Sequence, residues 1–186
     1  MKSKQVGFGI AVWLLASGAL AQEGEPGSGI ITQLGLQLGY ANGENIEGGE
    51  HGGPGARVQL LARFNRFVAA GPEVAYFLKA GSQTRVSQAP SGGENTESIP
   101  GGLMLLSGVL RLGFDDTAVR PNFLAGLALG NAGGEADTFY FLGGELAFMV
   151  NQFPLVVDVR YLGPLTGSST GYPNYLTFGL GTRLSW

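Results

Sequence analysis

Tyr175-Leu-Thr-Phe-Gly-Leu-Gly-Thr-Arg-Leu-Ser-Trp186 alternates along its length: Leu176, Phe178, Leu180, Leu184 and Trp186 fall on one face, while Thr177, Gly179, Gly181, Arg183 and Ser185 fall on the other. A period of two is the signature of a β-strand with unlike surroundings on its two sides. The apolar side carries large aliphatic and aromatic groups. The other side is small or polar and holds the one charge, Arg183.

Working back from this strand, the same pattern recurs seven times. It predicts strands near 30–41, 56–65, 68–80, 103–114, 119–130, 139–150 and 155–164, before 175–186. Each is close to the roughly 9 to 11 residues that a tilted strand needs to cross a bilayer. The connections alternate as well. Those at 65–67, 115–118 and 151–154 are tight, whereas 42–55, 81–102, 131–138 and 165–174 are mostly longer and rich in Gly, Ser, Asn and Glu. With both ends of the chain on one side, tight turns gather at one rim and longer loops at the other, the asymmetry of outer-membrane barrels.

Alternation alone does not say which face is inside, because soluble eight-stranded barrels alternate too, with their apolar residues inward. The charges decide it. Arg57, Arg63, Glu73, Lys79, Arg111, Arg120, Glu145, Asp158, Arg160 and Arg183 all share the face opposite the large aliphatic side chains, which leaves the apolar face without charge, as lipid requires. Gly35, Gly39, Gly113, Gly126, Gly143, Gly179 and Gly181 lie on the charged face and would leave room for long Arg side chains in a narrow lumen. Aromatics mark the strand ends: Phe64, Phe114, Phe148 and Trp186 at the tight-turn rim, Tyr40 and Tyr161 at the other. Pro72, Pro121 and Pro164 should mark strand ends or bulges, since a closed barrel has no edge for a missing N–H.

The N-terminus is of another kind. Lys2 and Lys4 precede an apolar run from Val6 to Leu15, and small residues close on Ala19-Leu20-Ala21. This reads as a secretory signal over 1–21, too short and interrupted for a spanning helix. A Gly/Pro lead-in follows over 22–29, and then the barrel over 30–186. Losing the two signal lysines takes the formal charge from −3 to about −5, which argues against nucleic acid as a partner. With no cysteine, disulfides and thiol chemistry are excluded.

The chain resembles the small eight-stranded outer-membrane barrels, the OmpA/OmpX-type transmembrane domains, over essentially all of 30–186. The match is one of pattern, with an aromatic residue closing an alternating last strand. The resemblance implies an all-β, antiparallel up-and-down barrel in a bacterial outer membrane, in contact with lipid and lipopolysaccharide. It also implies that the barrel-assembly machinery reads Leu184 and Trp186 as a C-terminal signal.

An eight-stranded barrel has an interior just wide enough for side chains to fill. Its charges are expected to form a structural network, with Arg63, Arg111, Arg160 and Arg183 set against Glu73, Glu145 and Asp158. The alternative is a narrow channel for small solutes or ions. The long loops are a second candidate, for contact with an extracellular partner. Glu44, Glu47, Glu50 and His51 lack the spacing of a calcium loop, so no metal or other cofactor is expected. His51 with Ser82, Ser87, Ser91 or Ser98 supplies a base and nucleophiles for a lipid A-modifying enzyme, but no motif surrounds them, and the expectation is a non-enzymatic protein.

Overall fold

Every alternating segment becomes a strand. The computed structural model describes residues 30–44, 52–88, 94–113, 118–132, 135–150, 153–165 and 173–186, with backbone alone for 44, 82–88, 94–100, 132 and 135. The expected signal and lead-in lie outside the described residues. The strands are β1 (Ile31–Glu44), β2 (Gly52–Arg63), β3 (Val68–Gln88), β4 (Glu94–Gly113), β5 (Val119–Ala132), β6 (Glu135–Val150), β7 (Phe153–Pro164) and β8 (Asn174–Ser185). Each pairs antiparallel with its neighbours in sequence, and β8 returns to β1, so the sheet is a closed up-and-down barrel. Reciprocal hydrogen bonds between Thr32 and Trp186 help seal the closure.

The register sets the girth. Following paired residues from Ile31 through Arg63, Ala69, Arg111, Leu124, Gly143, Arg160 and Thr177 returns to β1 at Ala41, ten residues from the start. Eight strands with that stagger tilt about 40° from the axis and enclose a space that side chains can fill. At the tight-turn rim, Asn65 Oδ1 accepts hydrogen bonds from the backbone N–H of Phe67 (2.8 Å) and Val68 (2.9 Å), an Asx turn that reverses β2 into β3.

The strands run further at the loop rim than their alternation indicates. The Gly-rich stretch Gly52 to Gly55 pairs with Gly39 to Asn42. More of the predicted 81–102 loop is also strand: Gly81 to Gln88 pairs with Gly101 to Glu94, carrying the β3–β4 hairpin eight residue pairs past Leu103, where the β5 ladder ends. Gly, Ser and Asn mask this ribbon in the sequence because they are poor strand formers, and here paired backbone supports them.

Lys79 is a correction. Strict parity sends it into the lumen, but it is exposed, and its φ of 57° is the one positive value among the described non-glycine residues. The register shifts between Phe77 and Gly81, where three β3 residues face Gly102 alone, and the bulge turns Lys79 out. Pro72 lies inside β3, not at its end. The β2–β3 ladder lapses opposite it, between the pairs Gln59/Glu73 and Ala62/Ala70, as a missing N–H requires.

Outside, the barrel is apolar. Leu36, Leu38, Val58, Val74, Leu110, Leu127, Leu142, Leu146, Val159 and Leu180 are exposed, while the described strand charges other than Lys79 are buried or half-buried. Exposed Phe64, Phe67, Phe153 and Trp186 ring the tight-turn rim; Tyr40, Tyr76, Tyr140 and Tyr161 ring the other, with Tyr140 and Tyr161 in contact at 6.3 Å. Tyr40 lies eight residues beyond Thr32, the partner of Trp186. At roughly 3.3 Å per residue and that tilt, the rings are about 20 Å apart, near the roughly 25 Å band of membrane barrels.

Candidate functional site: a layered lumen

Three layers fill the interior. The middle one is a ring of alternating charge. Asp158 accepts from Arg57 Nη1 at 2.8 Å and from Arg160 Nη2 at 3.0 Å. Arg160 Nη1 reaches both oxygens of Glu73 at 2.8 and 2.9 Å, and Glu73 stands 3.8 Å from Arg57 Nε, which closes the ring. Arg57 comes from β2, Glu73 from β3 and the other two from β7 across the barrel, so the ring ties opposite walls together. All four are at most 4 % exposed. Gln37, Thr177 and Gln59 fill out the coordination, through Arg57 Nη1 to Gln37 Oε1, Arg57 Nη2 to Thr177 Oγ1, and Gln59 Nε2 to Glu73 Oε2.

Glycine makes the ring possible. A Cβ on Gly179 would lie 2.7 Å from Asp158 Oδ1 and 3.0 Å from Arg57 Nη1; one on Gly143 would lie 2.8 Å from Arg160 Cγ. Larger residues at either position would displace the charged groups.

Toward the tight-turn rim, Glu145 on β6 takes Arg183 Nη1 at 2.8 Å, Arg183 Nη2, and Asn122 Nδ2 at 2.9 Å. Arg111 stands 4.0 Å from Glu145 and donates to Gln33 Oε1 at 2.7 Å. Arg63 and Arg120 lie half-buried at the mouth. Of the anticipated residues, Glu73, Asp158 and Arg160 therefore meet in one cluster, with Arg57 joining them, and Glu145, Arg183 and Arg111 form a second.

Toward the loop rim the lumen is apolar, which parity did not anticipate. Phe77, Leu103, Leu105, Phe139, Phe141, Leu162 and Tyr175 are buried together. Phe139 and Tyr175 are 6.3 Å apart, and the Tyr175 hydroxyl donates to the Ala80 carbonyl at 2.8 Å. This plug stacks on the ion ring, with the Arg57 guanidinium 5.7 Å from the Phe77 ring centroid and Arg160 5.3 Å from that of Phe141. Its signal in the sequence is loss of alternation: Tyr76-Phe77-Leu78, Leu103-Met-Leu-Leu106 and Phe139-Tyr-Phe-Leu142 are apolar on both faces.

Glu47, Glu50, His51 and Ser91 lie outside the described residues, as do the side chains of Glu44, Ser82, Ser87 and Ser98. Leu184 and Trp186 are exposed on the outer face of β8 and at its end.

No protein-family model matches the sequence, and no curated protein matches it. Solved structures do. The N-terminal β-barrel domain of Pseudomonas aeruginosa OprF is 12 % identical, with 82 % of this chain and 97 % of that one covered at a TM-score of 0.50. Ail, the attachment invasion locus protein of Yersinia pestis, is also similar. In a phospholipid bilayer nanodisc it is 17 % identical, covering 84 % of this chain and 100 % of that one at 0.46. In complex with the heparin analogue sucrose octasulfate it is 14 % identical, covering 83 % and 97 % at 0.42. The fold is that of the small eight-stranded outer-membrane barrels.

Proposed function

We propose that this chain is a non-enzymatic outer-membrane protein, exported by a signal cleaved after Ala21, whose closed barrel spans the bilayer and presents its long hairpins for contact outside the cell. The observation that carries the reading is the inverted barrel: an uncharged apolar exterior between two aromatic rings, around a lumen filled by an ion ring and an apolar plug. In water such an exterior would be a large aggregation-prone surface; against lipid it is the stable arrangement.

Display is favoured over conduction by the filling of the lumen. A solute passing through must break the paired charges of the ring and then displace a cluster of buried aromatic and aliphatic side chains. The β3–β4 ribbon supports contact as the role. It extends beyond the ladders of β2 and β5 on a scaffold that the closed sheet holds rigid.

The test is single-channel recording on the refolded chain in a planar bilayer, with heat-dependent gel mobility of the same sample reporting closure. A barrel that inserts, runs in the heat-modifiable form and remains electrically silent is the expected result. Discrete reproducible openings would overturn the sealed-lumen reading, and a monodisperse barrel that stays soluble without lipid or detergent would overturn the membrane reading.

A further inference from the structure

We propose that the tight-turn mouth of the barrel is a binding site for a small amphiphilic anion, a carboxylate or phosphate carried on a short apolar body. The inference needs only the fold, and it concerns the end of the lumen opposite the loops. A cavity of about 320 Å³ opens there. That is the lower range of small-molecule sites, which run from roughly 300 to 1,000 Å³.

Its two walls differ in chemistry. Arg111, Arg120 and Arg183 reach it from β4, β5 and β8, with Gln33 of β1 beside them. Ala147 of β6 and Val156 of β7 form the facing wall; they are register partners, and Ala147 also pairs with Arg120, so the apolar wall begins where the cationic one ends. Three guanidiniums around one cavity, two of them sharing the Glu145 carboxylate, bias its field positive among the described residues, and their planar donor forks match the oxygens of carboxylate and phosphate.

One of these donors is unused. Arg183 is 7 % exposed and spends Nη1 and Nη2 on Glu145, while its Nε–H finds no acceptor among the described residues. Buried donors are seldom left unmatched, because each carries the full penalty of desolvation. The ion ring higher in the lumen also leaves one such donor, Arg160 Nε, without an acceptor among the described residues, but two arginines and two carboxylates balance there, whereas Glu145 is the one described carboxylate bonded to the arginines of the mouth. An anion at the mouth would meet the guanidiniums of Arg111, Arg120 and Arg183 that line it, and its apolar body would cover Ala147 and Val156.

Hexyl phosphate is the probe, titrated into the refolded full chain in uncharged micelles while the side-chain Nε–H resonance of Arg183 is followed by NMR. A saturable shift is expected, with hexanol and inorganic phosphate each binding at least about tenfold more weakly, because each lacks half of the chemistry. Arg120→Gln removes a mouth guanidinium outside the Arg183–Glu145 pair and should weaken hexyl phosphate about tenfold. Ala147→Leu narrows the cavity at unchanged charge and should weaken it as well. No saturable shift at millimolar probe, or equal affinity in both variants, overturns the site. Nanodiscs of phosphatidylcholine with and without phosphatidylglycerol then identify the source. If the anionic lipid shifts the resonance and competes with the probe, the site takes a lipid headgroup; if the two discs behave alike, it takes a soluble anion.

Discussion

Neutralising Glu73 tests the ion ring at its most exposed assumption, that the charges stabilise the barrel only as a matched set. In Glu73→Gln the shape is kept and one charge is lost. Arg160 retains Asp158 at 3.0 Å, and Arg57 retains it at 2.8 Å, so two buried guanidiniums then share one carboxylate. Breaking a buried pair on one side leaves an uncompensated charge and costs about 3 to 5 kcal/mol. None of this is relieved by water, since Glu73 is 3 % and Arg160 2 % exposed. Arg160→Met should cost a similar amount, by stranding Glu73 with Gln59 and a 3.8 Å approach from Arg57. The double variant removes one charge of each sign and leaves Arg57 with Asp158 intact. It should therefore lose about 2 kcal/mol or more less than the sum of the single variants. The assay is urea unfolding from phospholipid vesicles, followed by tryptophan fluorescence and by the heat-dependent gel shift. Single variants within about 0.5 kcal/mol of the parent, or strict additivity in the double, would refute the coupled ring.

Three further outcomes follow from the same geometry. Gly179→Ala drives a methyl against Asp158 and Arg57 and should cost about 1 to 3 kcal/mol, whereas Gly144→Ala, with nothing within 4 Å of its Cβ, should be neutral or stabilising by up to about 1 kcal/mol in the same unfolding assay. Leu36→Arg, on the outer face midway between the aromatic rings, should lose about 2 to 4 kcal/mol in vesicles, and an unchanged stability there would contradict a lipid-facing exterior. Because plug and ring are separate barriers, neither Phe139→Ala/Phe141→Ala nor Glu73→Gln/Arg160→Met should conduct in a planar bilayer; conductance from either variant alone would show that one layer seals the lumen by itself.

How far the sequence could be read depended on what each pattern encodes. Parity encodes which face a side chain takes, and it is insensitive to the position of strand ends. All eight strands, the inward turn of Arg57, Glu73, Glu145, Asp158, Arg160 and Arg183, and the uncharged exterior were therefore legible in spite of strand ends that lay several residues off. It failed at Lys79 because a bulge that sets three residues against one resets the count, and only the neighbouring Gly81 hints at it. Parity also carries no height along the axis. Arg57 and Arg160 are set by register beneath Phe77 and Phe141, and that order emerges only when the stagger of ten residues around the barrel is known.

The apolar plug is where alternation misleads most, and the reason is physical. A strand with lipid on one side and charge on the other must alternate, but a strand with lipid outside and a dry plug inside has no polar face to show. Phe139-Tyr-Phe-Leu142 thus reads as a weaker strand signal than Tyr175 to Trp186, although its inward residues Phe139 and Phe141 form part of the buried apolar layer of the lumen. In a small barrel, then, the stretches where period two fades into continuous apolar sequence locate the seal, and those where it is cleanest locate the charged layer beneath. In this chain Phe77 of β3, Leu103 and Leu105 of β4 and Phe139 and Phe141 of β6 supply most of the plug, joined by Leu162 and Tyr175 from the loop-rim ends of β7 and β8, while the cleanly alternating residues of β2, β7 and β8 supply three of the arginines and the aspartate below it.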